Sequence, residues 1–448
     1  MQRLALALYS LLAWLAIPLL KRKLARRARQ EPGYAQAVPE RFGRYASAFV
    51  PDDRPLVWMH AVSLGETRAA AIVLGPLREQ MPRMRLLLTH GTATGRAEGA
   101  KLLRDGDVQT WLPWDTPGAV RRFLRHFRPS VGVLMETELW PNLVLGCRAA
   151  GMPLVLANAR LNARSHAGAL RLAWLARPAY GALTAVWAQT QADAERLRAL
   201  GAPVQGIFGN VKFDAQPAPE LLAHGRAWRN GLARPVVLLA SSREGEEAAW
   251  LDIYKQNRAE TRSDKARTAI NVEDVQWLIV PRHPQRFEEV ARLCEAAGLR
   301  VSRRSRWGQA PEAADVWIGD SLGEMPLYYA MASSALLGGS FAPLGGQNLI
   351  EAMACGCPVV LGPHTFNFAE AAALAVEAGA AVRVAGMPQG VGEAVAVAMD
   401  AARHRDLVAR CRGFLDAHRG AAAASARAIA RTTGPSAASA ITDGFELP

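Results

Sequence analysis

Short apolar runs recur along this chain, each followed by a turn and an amphipathic stretch, and that alternation restricts the fold more than any other feature. "PLVWMHAV", "RLLLTHG", "VGVLME", "PLVLANAR" and "AVWAQT" form one set; "PVVLLASS", "QWLIVPRH", "ADVWIGD", "SALLGGS" and "PVVLG" form a second. Strands that alternate with helices build parallel sheets, which places the chain in the α/β class. Two sets imply two Rossmann-like domains, with ligands expected in a cleft between them, outside the carboxyl ends of the strands. A length of 448 residues suffices for two cores of ordinary size. Pro217 and Pro219 in "KFDAQPAPE" interrupt both periodicities and mark the boundary. The expected division is residues 1–30, a first domain over 31–215, a linker over 216–232, a second domain over 233–430 and a mobile tail over 431–448. The polar stretch 255–275 reads as a surface insertion, and the Ala-rich end reads as one helix before the tail.

Charge is the next constraint. The formal net charge is +13, which favours anionic partners: nucleic acid, phospholipid or a phosphorylated substrate. Much of it follows the uncharged run Leu4–Leu20, where "KRKLARRAR" carries six basic residues. That run sits near the lower limit of the roughly 17–25 apolar residues that span a bilayer. A secretory signal needs a small-residue cleavage site where this chain has cations. A buried helix fits poorly beside those cations, which leaves a span or an interfacial helix, with Tyr9 and Trp14 at headgroup level and the basic block on the cytoplasmic side. Five cysteines in apolar or helical contexts fit a reducing compartment, and no spacing among them completes a zinc site.

The chemistry-bearing motifs sit at strand ends. In "VWMHAVSLGETR" the strand passes through Ser63 and Gly65 into a helix whose first turn contains Glu66. Such a helix start is a natural phosphate cradle, and a carboxylate there repels phosphate. Glu66 is therefore either a cap or part of a loop that handles something other than a nucleotide. "METELWPN" sets Glu136 and Glu138 behind another strand, where either could cap the following helix or bind a ligand. "NARLNARS" offers Arg160 and Arg164 to an anionic acceptor, and Lys212 in "NVKFD" is either a solvated lysine or a ligand contact. In "SSREGEE", Ser241 and Ser242 can cap a helix and leave N–H groups for phosphate. "PRHPQRF" gathers Arg282, His283 and Arg286 at a strand end, suited to a nucleotide phosphate. "GGSFAPLGGQNLIEA" combines Gly345 and Gly346, which permit close backbone approach, with Asn348 and Glu351 at a helix start. No G-x-x-x-x-G-K-[ST] occurs, which argues against a P-loop hydrolase.

Taken in order, "HAVSLGET", "METELWPN", "NARLNARS", "GNVKFD", "EGEE", "GDSLGEM", "GGQNLIEA" and "GPHTFNF" resemble the bacterial 3-deoxy-D-manno-octulosonic acid (Kdo) transferases of lipopolysaccharide synthesis. The resemblance runs from "PERFGRY" to "GPHTFNF", over most of the chain. It implies a GT-B fold, a CMP-Kdo donor, a lipid A precursor as acceptor, inversion at the anomeric carbon, no metal or other cofactor, and no nucleic-acid partner. It implies the cytoplasmic face of the bacterial inner membrane, where anionic lipid would meet the basic flank. Under it Glu66 is the general base, Glu136, Glu138, Arg160 and Arg164 serve the acceptor, and Lys212, Ser241, Ser242, Arg282, His283, Gly345, Gly346, Asn348 and Glu351 serve the donor. Arg243 and Gln347 stand where the family is expected to carry histidines. Two rival readings are a GT-B nucleotide-sugar epimerase, which needs neither anchor nor basic face, and a non-enzymatic lipid-binding module, which needs no "GGQN" loop.

Overall fold

The structure is a computed structural model, described over residues 2–46, 48–262 and 271–433. It divides into two compact units: residues 1–214 with 418–448, and residues 215–417. The first unit is built on seven strands, β1 (Leu56–His60), β2 (Arg85–His90), β3 (Val108–Trp111), β4 (Val131–Met135), β5 (Leu154–Ala159), β6 (Ala185–Ala188) and β7 (Val204–Ile207). They lie in the order β3-β2-β1-β4-β5-β6-β7, all parallel. The second unit repeats the plan with β8 (Val236–Ser242), β9 (Gln276–Pro281), β10 (Val301–Arg303), β11 (Val316–Ile318), β12 (Ser334–Leu337), β13 (Val359–Leu361) and β14 (Ala381–Arg383), in the parallel order β10-β11-β9-β8-β12-β13-β14. Each sheet has one point where the strand order reverses, between β1 and β4 in the first and between β8 and β12 in the second. At such a point the two loops leaving the carboxyl ends diverge and open a crevice.

Central strands are buried on both faces, as covered parallel sheets require; β1, β2, β4 and β5 have no exposed residue. Two layers of side chains fill the first unit. Trp58, Phe123 and Leu156 lie in one, while Val57, Met59, Val133 and Trp187 lie in the other. The second unit is centred on Leu239, Trp250, Trp277 and Ile279.

The division differs from the expected one in two places. The segment read as a linker contains the helix Pro219–Asn230, with Pro219 at its first turn, where a missing N–H costs nothing. That helix packs in the second unit against the helix Met325–Met331, and Gly225 permits the approach: a β-carbon there would collide with the Leu327 carbonyl oxygen. The C-terminal helix Ala421–Thr432 belongs to the first unit, where Ala422, Ala426 and Ile429 join the core layer of Val57 and Met59. Asp214 secures it by accepting the N–H groups of Gly420 and Ala422 at 2.6 and 2.8 Å, a cap supplied from two hundred residues upstream. Residues 434–448, which carry most of the expected tail, and 263–270 of the polar stretch lie outside the described residues. Residues 255–262 extend the helix Glu246–Arg262, and Val272 and Val275 are buried in the second core.

At the amino end the apolar run is not one helix. Helices Gln2–Leu15 and Ile17–Gln30 meet at a 45° bend, and no single helix among the described residues is long and apolar enough to cross a membrane. The first helix is seated on its unit: the Tyr9 hydroxyl donates to Asp115 Oδ2 at 2.8 Å, and Ser10 Oγ donates to Asn142 Oδ1 at 2.9 Å. Asp115 also accepts the N–H groups of Asn142 and Leu143, so it caps the helix Pro141–Ala149 while holding the amino-terminal one. Tyr9→Phe should therefore destabilise the first unit by about 1–3 kcal/mol, the range for a hydrogen bond to a charged or buried partner. Urea denaturation measures this. An unchanged midpoint would show that the helix is not seated on Asp115.

Candidate functional site

Glu66 lies just past the carboxyl end of β1, and Glu136 follows β4, so the reversal point of the first sheet brings them side by side. Ser63 is the N-cap of the helix Leu64–Gln80 and accepts the Glu66 N–H through its hydroxyl at 3.4 Å. The Glu66 side chain reaches back to accept the Val62 N–H at 2.6 Å. This is a capping-box arrangement displaced by one residue, so Glu66 does help cap its helix. The cap uses Oε2, and among the described residues no hydrogen bond is made by Oε1. Burial, opposed by the Val62 hydrogen bond and reinforced by the charges of Glu136 and Glu138, raises the Glu66 carboxyl to about 7. A group so poised exchanges a proton readily at neutral pH.

The neighbouring acids are held by different partners. Glu136 has φ 60°, a left-handed backbone unusual for a residue with a β-carbon, and its Oε1 accepts from Lys212 Nζ at 3.0 Å. Glu138 accepts the Trp140 indole N–H at 2.9 Å, and burial raises its carboxyl above the usual range. Neither caps the helix that follows, since Asp115 does so. Lys212, expected on the donor side, thus stands in the first unit against Glu136. The Arg160 N–H donates to the Glu136 carbonyl at 3.2 Å, while Arg164 is exposed on the helix Ala163–Arg171. Neither arginine forms an ion pair among the described residues, which leaves both guanidinium groups available to an anion.

Asn158 was not singled out by its sequence context, yet it organises this corner. Buried and at φ 52°, it accepts the Val211 N–H at 3.2 Å through Oδ1 and so fixes the turn that carries Lys212. The signal for it was available: asparagine at a strand end is a common occupant of left-handed backbone.

In the second unit the reversal point brings together the end of β8 and the glycine-rich loop after β12. Glu246 binds them by accepting four N–H groups, from Arg243 at 2.9 Å, Gly339 at 2.8 Å, Phe341 at 3.1 Å and Ala342 at 3.2 Å. A methyl group on Gly338 would collide with the Ser241 carbonyl. Gly345 and Gly346 both have positive φ, and the Gly346 N–H donates to the Gly339 carbonyl, so the loop folds back on itself. Asn348 caps the short helix Leu349–Ala354, whose first turn holds Glu351. Burial raises the Tyr329 hydroxyl well above its ordinary range, with Glu351 adding to the rise and Arg282 opposing it, which places those two side chains within electrostatic reach of one group. Arg282 and His283 are exposed beyond β9, and the Arg282 N–H donates to the Ser242 carbonyl. Arg243 and Gln347 both pack beside Gly339.

Two expectations fail here. Ser241 and Ser242 do not cap the helix Glu246–Arg262: Ser241 is at φ 53° with its hydroxyl toward Met325, and buried Ser242 donates to Glu247 Oε1 at 2.7 Å. Arg286 is also not free for phosphate. It is buried in a two-pronged pair with Glu247, 2.8 and 3.1 Å, and touches Glu289 at 3.2 Å. Its charge is already matched by Glu247, 39 positions away in the sequence, and by Glu289, three positions on.

Two parallel sheets of this type are the GT-B plan, and solved structures agree. The chain is similar to a glycosyltransferase from Rickettsia africae, with TM-score 0.53 and 11% identity over 85% of this chain and 99% of that one. It is equally similar to a UDP-GlcNAc 2-epimerase from Neisseria meningitidis, with TM-score 0.52 and 14% identity over 84% and 99%. At such identities the likeness is one of fold, which serves more than one chemistry. Sequence decides between them. Residues 36–215 match the family model described as 3-deoxy-D-manno-octulosonic-acid transferase. A 3-deoxy-D-manno-octulosonic acid transferase of Bordetella pertussis is 45% identical over 90% of this chain and 94% of its own length. The class is thus glycosyltransferase. The chain belongs to the 3-deoxy-D-manno-octulosonic acid transferase family.

Because the folded protein holds the Glu66 proton more tightly than an unfolded chain does, stability falls as pH rises from the ordinary 4.5 through about 7. Gln in its place carries no charge and can still accept from Val62. The melting temperature of Glu66→Gln relative to wild type should therefore increase between pH 4.5 and 8. A difference that stays constant with pH would remove the raised proton affinity.

Proposed function

We propose that the chain transfers Kdo from CMP-Kdo to a lipid A precursor, lipid IVA, at the cytoplasmic face of the bacterial inner membrane, inverting the anomeric carbon without a metal ion. The observation that carries this reading is a carboxyl poised near neutrality, Glu66, among two further acids and Lys212. Ionised Glu66 accepts the proton of an acceptor glucosamine hydroxyl. The hydroxyl oxygen then bonds to the anomeric carbon of Kdo while the bond from that carbon to the phosphate oxygen breaks and CMP departs with its electron pair. A single displacement from the opposite side inverts the centre.

The donor reading rests on the second reversal point. CMP carries one phosphate, whose charge Arg282 could offset, with His283 and the N–H of Gly345 as further hydrogen-bond donors. Asn348, Glu351 and the β8 end at Ser241 would orient the nucleotide and sugar. Arg160 and Arg164 suit the phosphates of the acceptor, and Glu136 and Glu138 its hydroxyls. Lys212 would attract the anionic donor.

Purified full-length protein incubated with CMP-Kdo and lipid IVA should give lipid products heavier by whole Kdo residues in a mass spectrum, which also counts the sugars added. The rate should rise with pH through about 7 as Glu66 ionises. Glu66→Gln should lower transfer by about 10²–10⁴, the usual worth of a general base, with CMP binding retained. Unmodified lipid IVA with wild type refutes the acceptor, and a normal rate in the variant removes Glu66 from the chemistry.

A further inference from the structure

A cavity of about 890 Å³ opens in the first unit beneath the amino-terminal helix Gln2–Leu15, between it and the helices Pro117–Phe127 and Pro141–Ala149. That volume lies within the roughly 300–1,000 Å³ of small-ligand sites. Most of its wall is apolar, with Leu6, Leu124, Leu145 and Met152 contributing. Three exposed cations also line it: Arg121, Arg125 and Arg128. Arg128 closes its helix at φ 48° and turns back, its Nε donating to the Arg125 carbonyl at 3.3 Å. Among the described residues these three make no ion pair, although the unit pairs many of its other arginines.

The cavity is not part of the carboxylate cluster. Ser130 and Pro153, which line it, immediately precede β4 and β5, whereas Glu136 follows β4. Five strand residues span roughly 17 Å, so the two features lie at opposite ends of the sheet.

We propose that this cavity binds one anionic glycerophospholipid of the bilayer, an acyl chain lying along the apolar wall and the phosphate held by Arg121, Arg125 and Arg128. Two observations commit the proposal to a bilayer lipid. Charge is complementary: an apolar slot with three uncompensated guanidinium groups matches a molecule with a hydrocarbon chain and one phosphate. The slot is also continuous with a face that water does not favour. The helix forming its roof exposes Leu4, Leu8, Leu11, Leu12 and Trp14, with Leu4 at 78% and Trp14 at 63% of full exposure. An acyl chain in the slot would extend from the same layer in which these side chains lie, and would complete the seat of the helix that Tyr9 and Asp115 begin.

The proposal goes beyond the transfer reaction and is read by binding alone, so either can fail without the other. Full-length protein in mild detergent would be titrated with phosphatidylglycerol and with phosphatidylcholine of the same chains, and bound lipid counted by native mass spectrometry. Wild type should hold one phosphatidylglycerol with roughly tenfold or greater preference over phosphatidylcholine. The double variant Arg121→Gln, Arg125→Gln should lose that preference, and Ala149→Trp, which fills the slot, should lose the bound lipid with an unchanged circular dichroism spectrum. Should that tryptophan disturb folding, the arginine variant decides alone. Equal binding of both lipids by wild type, retention of the preference in the arginine variant, or one-for-one displacement of phosphatidylglycerol by lipid IVA would overturn the proposal, the last by making the slot an acceptor site.

Discussion

In a sheet of parallel strands every chain leaves at the same end, and where the strand order reverses two of those exits diverge over an open crevice. This chain meets that constraint twice. In the first unit the crevice is filled by acids: Glu66 after β1, then Glu136 and Glu138 after β4. In the second it is spanned by a glycine-rich loop that Glu246 ties to the end of β8 through four N–H groups. One crevice gathers carboxyls beside a lysine, and the other is closed by backbone N–H groups gathered on one buried carboxyl.

Burial sets Glu66 apart from the other charges of the first crevice. A carboxylate in water would stay ionised at neutral pH and bind a proton weakly; the same group partly desolvated beside two other carboxyls takes a proton near pH 7. Lys212 places one positive charge against the cluster through its 3.0 Å ion pair with Glu136. The capping bond from Val62 fixes the orientation of Glu66 without satisfying its second oxygen.

Much of this was legible in the sequence, and the failures share a physical cause. All ten strands expected from apolar runs are present. The four that were not expected, β3, β7, β10 and β14, are the four sheet edges. Edge strands are short and partly exposed, so they carry no continuous apolar run; Val204–Ile207 alternates half-buried and exposed residues. Glu66 was legible because a carboxylate in a phosphate-cradle position contradicts its local setting. Arg286 and Ser242 were misread because their partner, Glu247, is defined by packing. The amino-terminal run showed its composition but not its bend, nor the hydrogen bond from Tyr9 to Asp115, which joins positions more than a hundred residues apart. The same long-range docking hid the return of the final helix to the first unit.

The account stands on the ionisation of Glu66. Protein labelled with carbon-13 at the glutamate side-chain carboxyl and titrated by NMR from pH 4 to 9 measures it without substrate. One resonance should titrate with a midpoint of about 7 and be missing from the spectrum of Glu66→Gln. If the resonance missing from that variant titrates in the ordinary glutamate range near 4.3, Glu66 is a helix cap and the base lies elsewhere.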